Sequence, residues 1–315
     1  AEETRQRVLQ VIDELNYQPS AIARSLIHQR SLTIGVVTAG LKYDGPSRTL
    51  SGITQAAEEL GYTLLLKELS AFHTNDVQPL LSSLLERRVD GILWAAPEVG
   101  DNRAWLEDWL DELPVPLIFM TMEPRGDLPI VSVDNYAGGR MATEHLLAQG
   151  YRHIGHLSGP LTWWEARQRL AGWRDALLAA GIPETELYTA EGNWSSASGE
   201  RAIAQLLSIY PEMDAVFVGN DQMALSVLQT TCRHGIRVPD SLAAVGFDGL
   251  PESAHFWPPL TTVYQDLRNL GGTAVKELVQ AIEAGRQDQS AFEPKSVVLS
   301  PELIVRESSG ATKAC

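Results

Sequence analysis

Short apolar segments recur along most of the 315-residue chain and alternate with stretches of helical periodicity. Gly, Pro or charged residues bound these segments, as expected for strands that are buried on both faces of a parallel sheet. They occupy residues 32–38, 62–66, 91–96, 116–121, 153–158, 214–219 and 242–247. Amphipathic helices are predicted between them, over residues 48–61, 137–150, 166–181 and 222–235. This alternation predicts a doubly wound α/β fold with parallel strands and right-handed crossovers.

The alternation restarts near residues 131–139 (VSVDNYAGG), so the chain contains two series of strands and helices. With 315 residues, 44% of them hydrophobic, it is too long for one small core. A last long helix over 268–285 indicates that the chain crosses back to the first series. We expect two lobes with a cleft between them, the first formed by residues 31–132 and 266–294, the second by 133–265 and 295–310.

Composition restricts the function further. The formal net charge of −15 would repel a nucleic-acid backbone if it were spread over the whole surface, so any DNA contact must be local. The two cysteines, Cys232 and Cys315, cannot form a multi-bridge framework and favour a reducing compartment. No apolar run approaches a membrane span, and the first ten residues are charged where a signal peptide is apolar. We therefore expect a cytoplasmic protein without membrane contact.

The first 30 residues differ from the α/β body. Residues 4–15 form a predicted helix with one apolar face, made by Val8, Val11, Ile12 and Leu15. Pro19 ends this helix, and Ser20 is placed to cap a second short helix over residues 21–27. A helix of about two turns is marginal alone in water. It is therefore expected to be stable only when packed or bound.

Six segments of the chain, in the same order, resemble segments of the lactose-repressor/galactose-repressor family of bacterial transcription regulators. Together they extend the resemblance over essentially the whole chain. They are TRQRVLQVIDELNYQPSAIARSL (4–26), GPLTWWEARQRLAGW (159–173), GNWSSASG (192–199), GNDQMALSVL (219–228), VGFDGLPES (245–253) and PPLTTVYQDLRNLG (258–271). Several are closest to the lactose-repressor branch. The resemblance implies two lobes of the periplasmic-binding-protein type, with an effector that binds between them.

By the same resemblance, residues 1–30 are the remnant of a helix-turn-helix headpiece followed by a hinge helix. The implied DNA-binding hinge residues are Tyr17, Ser20, Arg24 and Leu26. Leu26 matches the family's minor-groove wedge and Arg24 is placed to meet a phosphate, although a leucine on a short helix can equally cover a domain surface. The family's first two helices have no counterpart here, so we expect the chain as given to be impaired in operator binding.

A sugar-binding site is expected at the ends of the strands. A sugar offers hydroxyl donors and acceptors around a weakly apolar face, which charged groups, amides and aromatic rings recognise. Asp248 and Asn220 each follow a strand, Arg169 lies on the helix after a third, and Trp194 offers a flat face. The resemblance assigns these four residues to sugar binding and adds Gln265. The alternatives are that Asp248 is an ordinary turn residue and that Arg169 forms a surface ion pair with Glu165.

Two further site residues are departures from the family pattern. Thr121 stands where the lactose-repressor branch has an aspartate, and Trp163, with Trp164 and Glu165, replaces small polar residues. The tryptophans offer a stacking surface for a second sugar ring, so a galactoside and a glucose-containing disaccharide remain equally open. At the start of the helix after 214–219, Asp221 is predicted as the cap and Asn220 as the ligand residue.

The sequence thus predicts a sugar-responsive, DNA-binding transcriptional regulator, a repressor, with a periplasmic-type sugar-binding protein without a DNA role as the alternative. Residues 4–27 count against that alternative. An enzyme is not expected, since no GxSxG, GxxxxGK[ST], HExxH or GxGxxG motif occurs, and neither a metal nor another cofactor is predicted. The ending IVRESSGATKAC lacks an apolar heptad repeat, so a homodimer is expected rather than a tetramer.

Overall fold

The computed structural model describes residues 2–14, 30–110, 113–126, 128–183, 188–286 and 296–310. It confirms two parallel-sheet α/β lobes. The helices are α1 (Glu2–Glu14), α2 (Asp44–Glu59), α3 (Gln78–Glu86), α4 (Leu106–Trp109), α5 (Asn135–Ala148), α6 (Trp164–Ala179), α7 (Ser196–Ile209), α8 (Asp221–Arg233) and α9 (Leu267–Arg286). Single 3-10 turns span Pro251–His255 and Glu307–Ser309.

The strands of the first lobe are β1 (Thr33–Thr38), β2 (Thr63–Glu68), β3 (Gly91–Trp94), β4 (Leu117–Met120) and β5 (Ile130–Val133). Those of the second are β6 (Ile154–Ser158), β7 (Thr189–Glu191), β8 (Ala215–Val218), β9 (Ala243–Asp248) and β10 (Thr261–Tyr264). The chain adds β11 (Val297–Leu299) and β12 (Glu302–Ile304) near its end. All seven strands predicted from apolar runs are present, within one or two residues at most ends.

Each lobe is built on a six-stranded sheet. The first sheet has the order β11-β5-β4-β3-β1-β2 and is parallel throughout. The second has the order β12-β10-β9-β8-β6-β7 and is parallel except for β12, which runs antiparallel to β10. The predicted boundary at residue 295 needs correction: β11 pairs with β5 in the first sheet, and the chain returns to the second lobe only at β12.

The strands are apolar because helices cover both faces of each sheet. Along β1, Ile34 and Val36 face the cluster that includes Leu278 of α9, whereas Val37 faces the opposite cluster, which includes Leu81 of α3. Burial on both sides explains why these strands appear in the sequence as continuous apolar runs rather than as alternating patterns. The second lobe repeats this arrangement with two further clusters.

Four predicted helices, those over residues 48–61, 137–150, 166–181 and 222–235, have a glycine as the last residue of their predicted range. These glycines, Gly61, Gly150, Gly181 and Gly235, all adopt a positive φ, which is typical of the residue that ends a helix. The sequence pattern did not specify α3, α7 or β7. No helix among the described residues is long and apolar enough to cross a membrane.

The predicted N-terminal helix is present as α1, starting and ending slightly earlier than expected. The hinge residues Tyr17, Ser20, Arg24 and Leu26 lie outside the described residues.

Candidate ligand-binding cleft

The two lobes enclose a cavity of about 460 Å³. This volume is in the range of sites for small molecules. All seven residues predicted for effector binding line it: Thr121, Trp163, Arg169, Trp194, Asn220, Asp248 and Gln265. The structure thus brings together side chains that are spread over about 145 residues of sequence.

Asp248 and Gln265 form the polar end of the cleft. Asp248 is the last residue of β9 and has a φ of +103°, which turns its side chain away from the strand path. Its Oδ1 accepts hydrogen bonds from Gln265 Nε2 at 2.8 Å and from Arg169 Nη1 at 3.4 Å. Burial raises the pKa of Asp248 to about 6, and the Arg169 guanidinium opposes this rise. The Asp248 carboxylate can accept further hydrogen bonds, as a ligand hydroxyl requires.

Arg169 is fixed by neighbours within the second lobe and is not a surface residue. Its Nε donates to Asn135 Oδ1 at 2.8 Å and its Nη1 to the Gly219 carbonyl at 2.5 Å. The guanidinium lies over the Phe247 ring, 3.8 Å from its centroid. These partners, together with the ion pair to Asp248, replace the surface ion pair with Glu165 that was the alternative for this residue.

Glycines hold α6, which carries Arg169, close against α5. A Cβ atom at Gly139 would lie 2.3 Å from the Arg169 carbonyl oxygen. A Cβ atom at Gly172 would lie 2.1 Å from the Tyr136 carbonyl oxygen. Only glycine permits so close an approach of the two helices, so these positions set the depth of Arg169 in the cleft.

The capping prediction at the start of α8 was wrong. Asn220 is the cap, since its Oδ1 accepts the Met223 N–H at 3.0 Å. Its Nδ2 donates to the Trp194 carbonyl at 3.0 Å. Asp221 is instead fully buried, where it accepts from the Thr262 hydroxyl at 2.7 Å and the Leu250 N–H at 2.8 Å. Asn220 therefore lines the cleft and also fixes the Trp194 loop.

Aromatic rings from both lobes meet at one side of the cleft. Trp163 stands 4.7 Å from Phe72 and 5.8 Å from Trp194, measured between ring centroids. Tyr43 lies 6.5 Å from Trp163 in an edge-on arrangement. Trp194 has a φ of +70°, and the Arg169 guanidinium lies 5.4 Å from its ring. These rings form an apolar wall suited to the C–H face of a sugar.

Backbone hydrogen bonds join the lobes beside this wall. Val99 and Trp163 form an isolated antiparallel bridge. The Gly100 N–H donates to the Thr162 carbonyl at 2.8 Å, and the Trp164 N–H donates to the Glu98 carbonyl at 3.1 Å. On another edge, Arg48 of α2 donates to the carbonyl of Asp248 at 3.2 Å. The lobes are therefore in direct contact around the cavity.

Several lining residues were missed by the sequence predictions. Lys42, Tyr43 and Asp44 follow β1, so the rule that ligands bind beyond strand ends points to them. Leu267 and Leu270 begin α9 and carry no polar signal that distinguishes them from other core leucines. Glu165 was noted as a departure from the family pattern and as an alternative ion-pair partner of Arg169, but not as a ligand-binding residue.

The chemistry of the cleft is that of recognition. Its serine hydroxyls are bonded to amide and carbonyl groups: Ser195 Oγ donates to Asn193 Oδ1 at 2.6 Å and Ser196 Oγ to the Gln222 carbonyl at 2.8 Å. Neither is paired with a general base in these contacts, as a nucleophile would be. Among the described residues, no group of three or more His, Cys, Asp or Glu side chains is placed to hold a metal ion.

Comparisons with known proteins agree on one family. Residues 143–309 match the model of a periplasmic binding protein-like domain. The HTH-type transcriptional repressor PurR of Photobacterium profundum is 32% identical over 313 residues, covering 98% of this chain and 90% of the relative. These relatives are transcriptional repressors and not enzymes.

Solved structures are similar over the same extent. The lac repressor dimer bound to operator and the anti-inducer ONPF is 32% identical, with a TM-score of 0.83, covering 98% of this chain and 91% of that one. The transcriptional regulator CelR in complex with cellobiose is 31% identical, with a TM-score of 0.77 and the same coverage of both chains.

Proposed function

Because the chain belongs to the lactose-repressor/galactose-repressor family of transcriptional regulators, we propose that it is a repressor whose sugar effector binds between the lobes and alters operator binding. The observation that carries the sugar assignment is the Arg169–Asp248–Gln265 cluster facing the Trp163 and Trp194 rings. Charge-assisted acceptors beside an aromatic wall suit a polyhydroxylated, weakly apolar ring.

We propose further that the effector is a disaccharide. Both Trp194 and Trp163 line the cavity, with their ring centroids 5.8 Å apart, so the aromatic wall offers more than one ring as a stacking surface. The similarity to a regulator solved with cellobiose supports this size class. Thr121 offers a neutral hydroxyl on the first-lobe side, and the choice between a galactoside and a glucose-containing disaccharide is left to the experiment below.

Helix α9 provides a physical link from the cleft towards the N-terminal segment. Its first turn contributes Leu267 and Leu270 to the cavity, and it extends for 20 residues, roughly 30 Å. Near its other end, Glu283 forms an ion pair with Arg30 at 2.6 Å. Arg30 closely follows the proposed hinge. A shift of the first lobe on ligand binding would therefore move the C-terminal end of the proposed DNA-binding segment.

The anchoring of residues 30–32 supports this route. Asp90 accepts from the N–H groups of Ser31 at 3.0 Å and Leu32 at 2.9 Å, and Arg30 also donates to the Tyr62 hydroxyl. The chain entering β1 is thus tied to the first lobe at several points. Displacement of that lobe must be passed to whatever precedes Arg30.

The DNA-binding part of the proposal rests on the relatives. We propose that Tyr17, Ser20, Arg24 and Leu26 form the hinge contacts with operator DNA and that the protein acts as a homodimer. The lac repressor solved with operator is a dimer and aligns with 98% of this chain. Two chains related by a two-fold axis match a two-fold-symmetric operator. A sugar-binding protein without a DNA role would not account for a match to repressors that includes the N-terminal segment.

Thermal denaturation with a sugar panel tests the proposal. A ligand that binds only the folded state raises the melting temperature by mass action. We expect cellobiose or lactose at millimolar concentration to do so, and Asp248→Asn to abolish most of the shift. Stabilisation by nucleobases or amino acids in the same screen, with none by any sugar, would contradict the sugar assignment.

A further inference from the structure

Two buried polar atoms without a protein partner belong to side chains that line the cleft. Seven buried side-chain N or O atoms among the described residues lack a hydrogen-bond partner, and only Glu165 Oε2 and Trp194 Nε1 belong to residues that line the cavity. A buried polar atom lowers the stability of the folded protein unless it has a hydrogen-bond partner. One atom is an acceptor site and the other a donor, so a ligand with both a hydroxyl hydrogen and an oxygen acceptor complements them.

The charges around Glu165 do not satisfy its carboxyl group. Arg169 lies one turn further along α6 but is bonded to Asn135, Gly219 and Asp248. From the first lobe, Arg103 donates to the Ala96 carbonyl at 2.6 Å and to Asn102 Oδ1 at 3.1 Å.

Glu98, the remaining charged neighbour, is likewise engaged, in an ion pair with Arg125 and a 2.7 Å hydrogen bond from the Glu123 N–H. All three charged neighbours thus have their own partners. The Glu165 side chain lines the cavity between positive and negative neighbours, and its Oε2 has no hydrogen-bond partner.

The position of Glu165 along α6 identifies which part of a ligand it meets. Arg169 and Asp248 form the polar end of the cleft, and Glu165 lies four residues earlier, roughly 6 Å along the helix axis. That spacing is comparable to the length of one pyranose unit. Trp163, two residues before Glu165, provides the aromatic surface at the same end. A sugar ring at Asp248 therefore leaves Glu165 to the neighbouring ring.

We propose that Glu165 is a specificity-determining residue: its carboxyl accepts a hydrogen bond from a hydroxyl of the second sugar unit, while Trp194 Nε1 donates to an oxygen of the same ligand. This inference rests on the proposed disaccharide effector. It assigns the discrimination between a disaccharide and a monosaccharide to one side chain.

The same contact couples disaccharide binding to the release of a proton from Glu165. Burial raises the pKa of Glu165 to about 7. A hydrogen bond from its own backbone N–H opposes this rise in pKa most strongly, Arg169 and Arg103 also oppose it, and Glu98 adds to it. A hydroxyl that donates to the carboxylate favours the charged form, so binding lowers this pKa and releases a proton near neutral pH. Disaccharide affinity should therefore rise as pH increases from 6 to 8.

The test compares wild-type protein with Glu165→Gln by calorimetric titration with cellobiose, lactose, glucose and galactose at pH 6, 7 and 8. Gln preserves size but cannot become charged. We expect the affinity of the bound disaccharide to fall about tenfold at pH 8, its pH dependence to flatten, and monosaccharide affinity to change less than about twofold. Because Asp248 also titrates in this range, the difference between variant and wild type isolates Glu165.

Glu200→Gln, an exposed carboxyl on α7 outside the cleft, serves as the matched control and should leave every affinity unchanged. If wild-type protein binds a disaccharide and Glu165→Gln binds it equally well with the same pH profile, the role of Glu165 is refuted and the sugar proposal stands. An equal loss for mono- and disaccharides also refutes it. If no sugar binds wild-type protein, both proposals fail together.

Discussion

The two lobes share one architecture but provide different walls to the cleft. The second lobe contributes charged and amide groups, such as Arg169, Asn220 and Asp248, held by hydrogen bonds within that lobe. The first contributes mainly apolar side chains, namely those of Ala95, Pro97, Met120, Val133, Leu267 and Leu270, together with the charged Lys42 and Asp44 after β1. A ligand is therefore oriented by the second lobe and covered by the first. Affinity should depend mostly on the second lobe, and the response to binding on the first.

The largest effect is expected from Asp248→Asn. The change keeps the shape of the side chain but removes a charged acceptor whose hydrogen bonds are worth roughly 1.5–3 kcal/mol each. Affinity for the effector sugar should fall about tenfold to a hundredfold, measured by calorimetry, while the melting temperature of the free protein stays close to that of wild type.

Thr121→Ala provides the matching change in the first lobe, where a neutral hydroxyl lines the same cavity. It should cost less than about threefold in affinity, since a neutral hydrogen bond has a smaller net value. If Thr121→Ala costs as much as Asp248→Asn, the division of labour between the lobes is wrong. If a well-folded Asp248→Asn protein binds the sugar with wild-type affinity, the sugar-binding site does not include Asp248.

The second prediction concerns acid stability, in which the cores of the lobes differ. His156 is buried in β6, stacked on Phe217 at 4.7 Å and on Trp173 at 5.5 Å, whereas the charged residues buried within the described part of the first lobe are Glu98 and Arg103. Burial lowers the pKa of His156 to about 4, against an ordinary value of 6.5. On acidification the unfolded chain therefore binds a proton at His156 before the folded protein does. The contribution of neutral His156 to the free energy of unfolding is complete above pH 6.5 and is lost as pH falls towards 4.

We expect this group to remove roughly 2 kcal/mol of unfolding free energy between about pH 7.5 and 4.5, measured by urea denaturation. His156→Asn can retain the hydrogen bond with the Phe217 carbonyl but does not titrate. The variant should be less stable at neutral pH yet lose less stability on acidification. Parallel pH profiles for the two proteins would show that His156 is not the group responsible. Asp221, whose pKa is raised to about 8 by burial, changes stability in the opposite sense in both proteins and cancels in the comparison.

The second lobe was also the more predictable from sequence. Strand β9 ends in Asp248, and Asn220 comes two residues after the end of β8, so both residues could be assigned to the cleft from the chain alone. Leu267 and Leu270 of the first lobe could not, because a leucine on an amphipathic helix looks the same whether it faces a cavity or a core. The choice between Asn220 and Asp221 as the helix cap depended on tertiary partners, Thr262 and Leu250, which the local sequence does not reveal.

The third prediction tests the residue that bridges both walls. Trp163 belongs to the second lobe but packs against Phe72 of the first, with the two rings tilted by 58°. Trp163→Ala removes an aromatic surface worth about 0.5–1.5 kcal/mol per ring contact, so disaccharide affinity should fall up to about tenfold by calorimetry.

Trp257→Ala is the matched control. Trp257 is 87% exposed and does not line the cavity. Its removal should leave sugar affinity unchanged. Equal losses in the two variants would mean that Trp163 acts through general stability and not through the cleft.

The smallest effect is expected from Glu283→Gln, at the end of α9 that is remote from the cleft. The variant breaks the ion pair with Arg30, an interaction between partly exposed groups worth up to about 1 kcal/mol. Sugar affinity should change less than about twofold, because the cavity is untouched. Sugar binding should, however, change the amide exchange rates of Ser31 and Leu32 less in the variant than in wild type. We expect this change to be about threefold smaller, measured by hydrogen-exchange mass spectrometry. Glu277→Gln on the same helix, outside the Arg30 cluster, should preserve the wild-type response. If Glu283→Gln weakens sugar binding and leaves the response at residues 31–32 intact, α9 belongs to the recognition surface and does not carry the signal from the first lobe to the hinge.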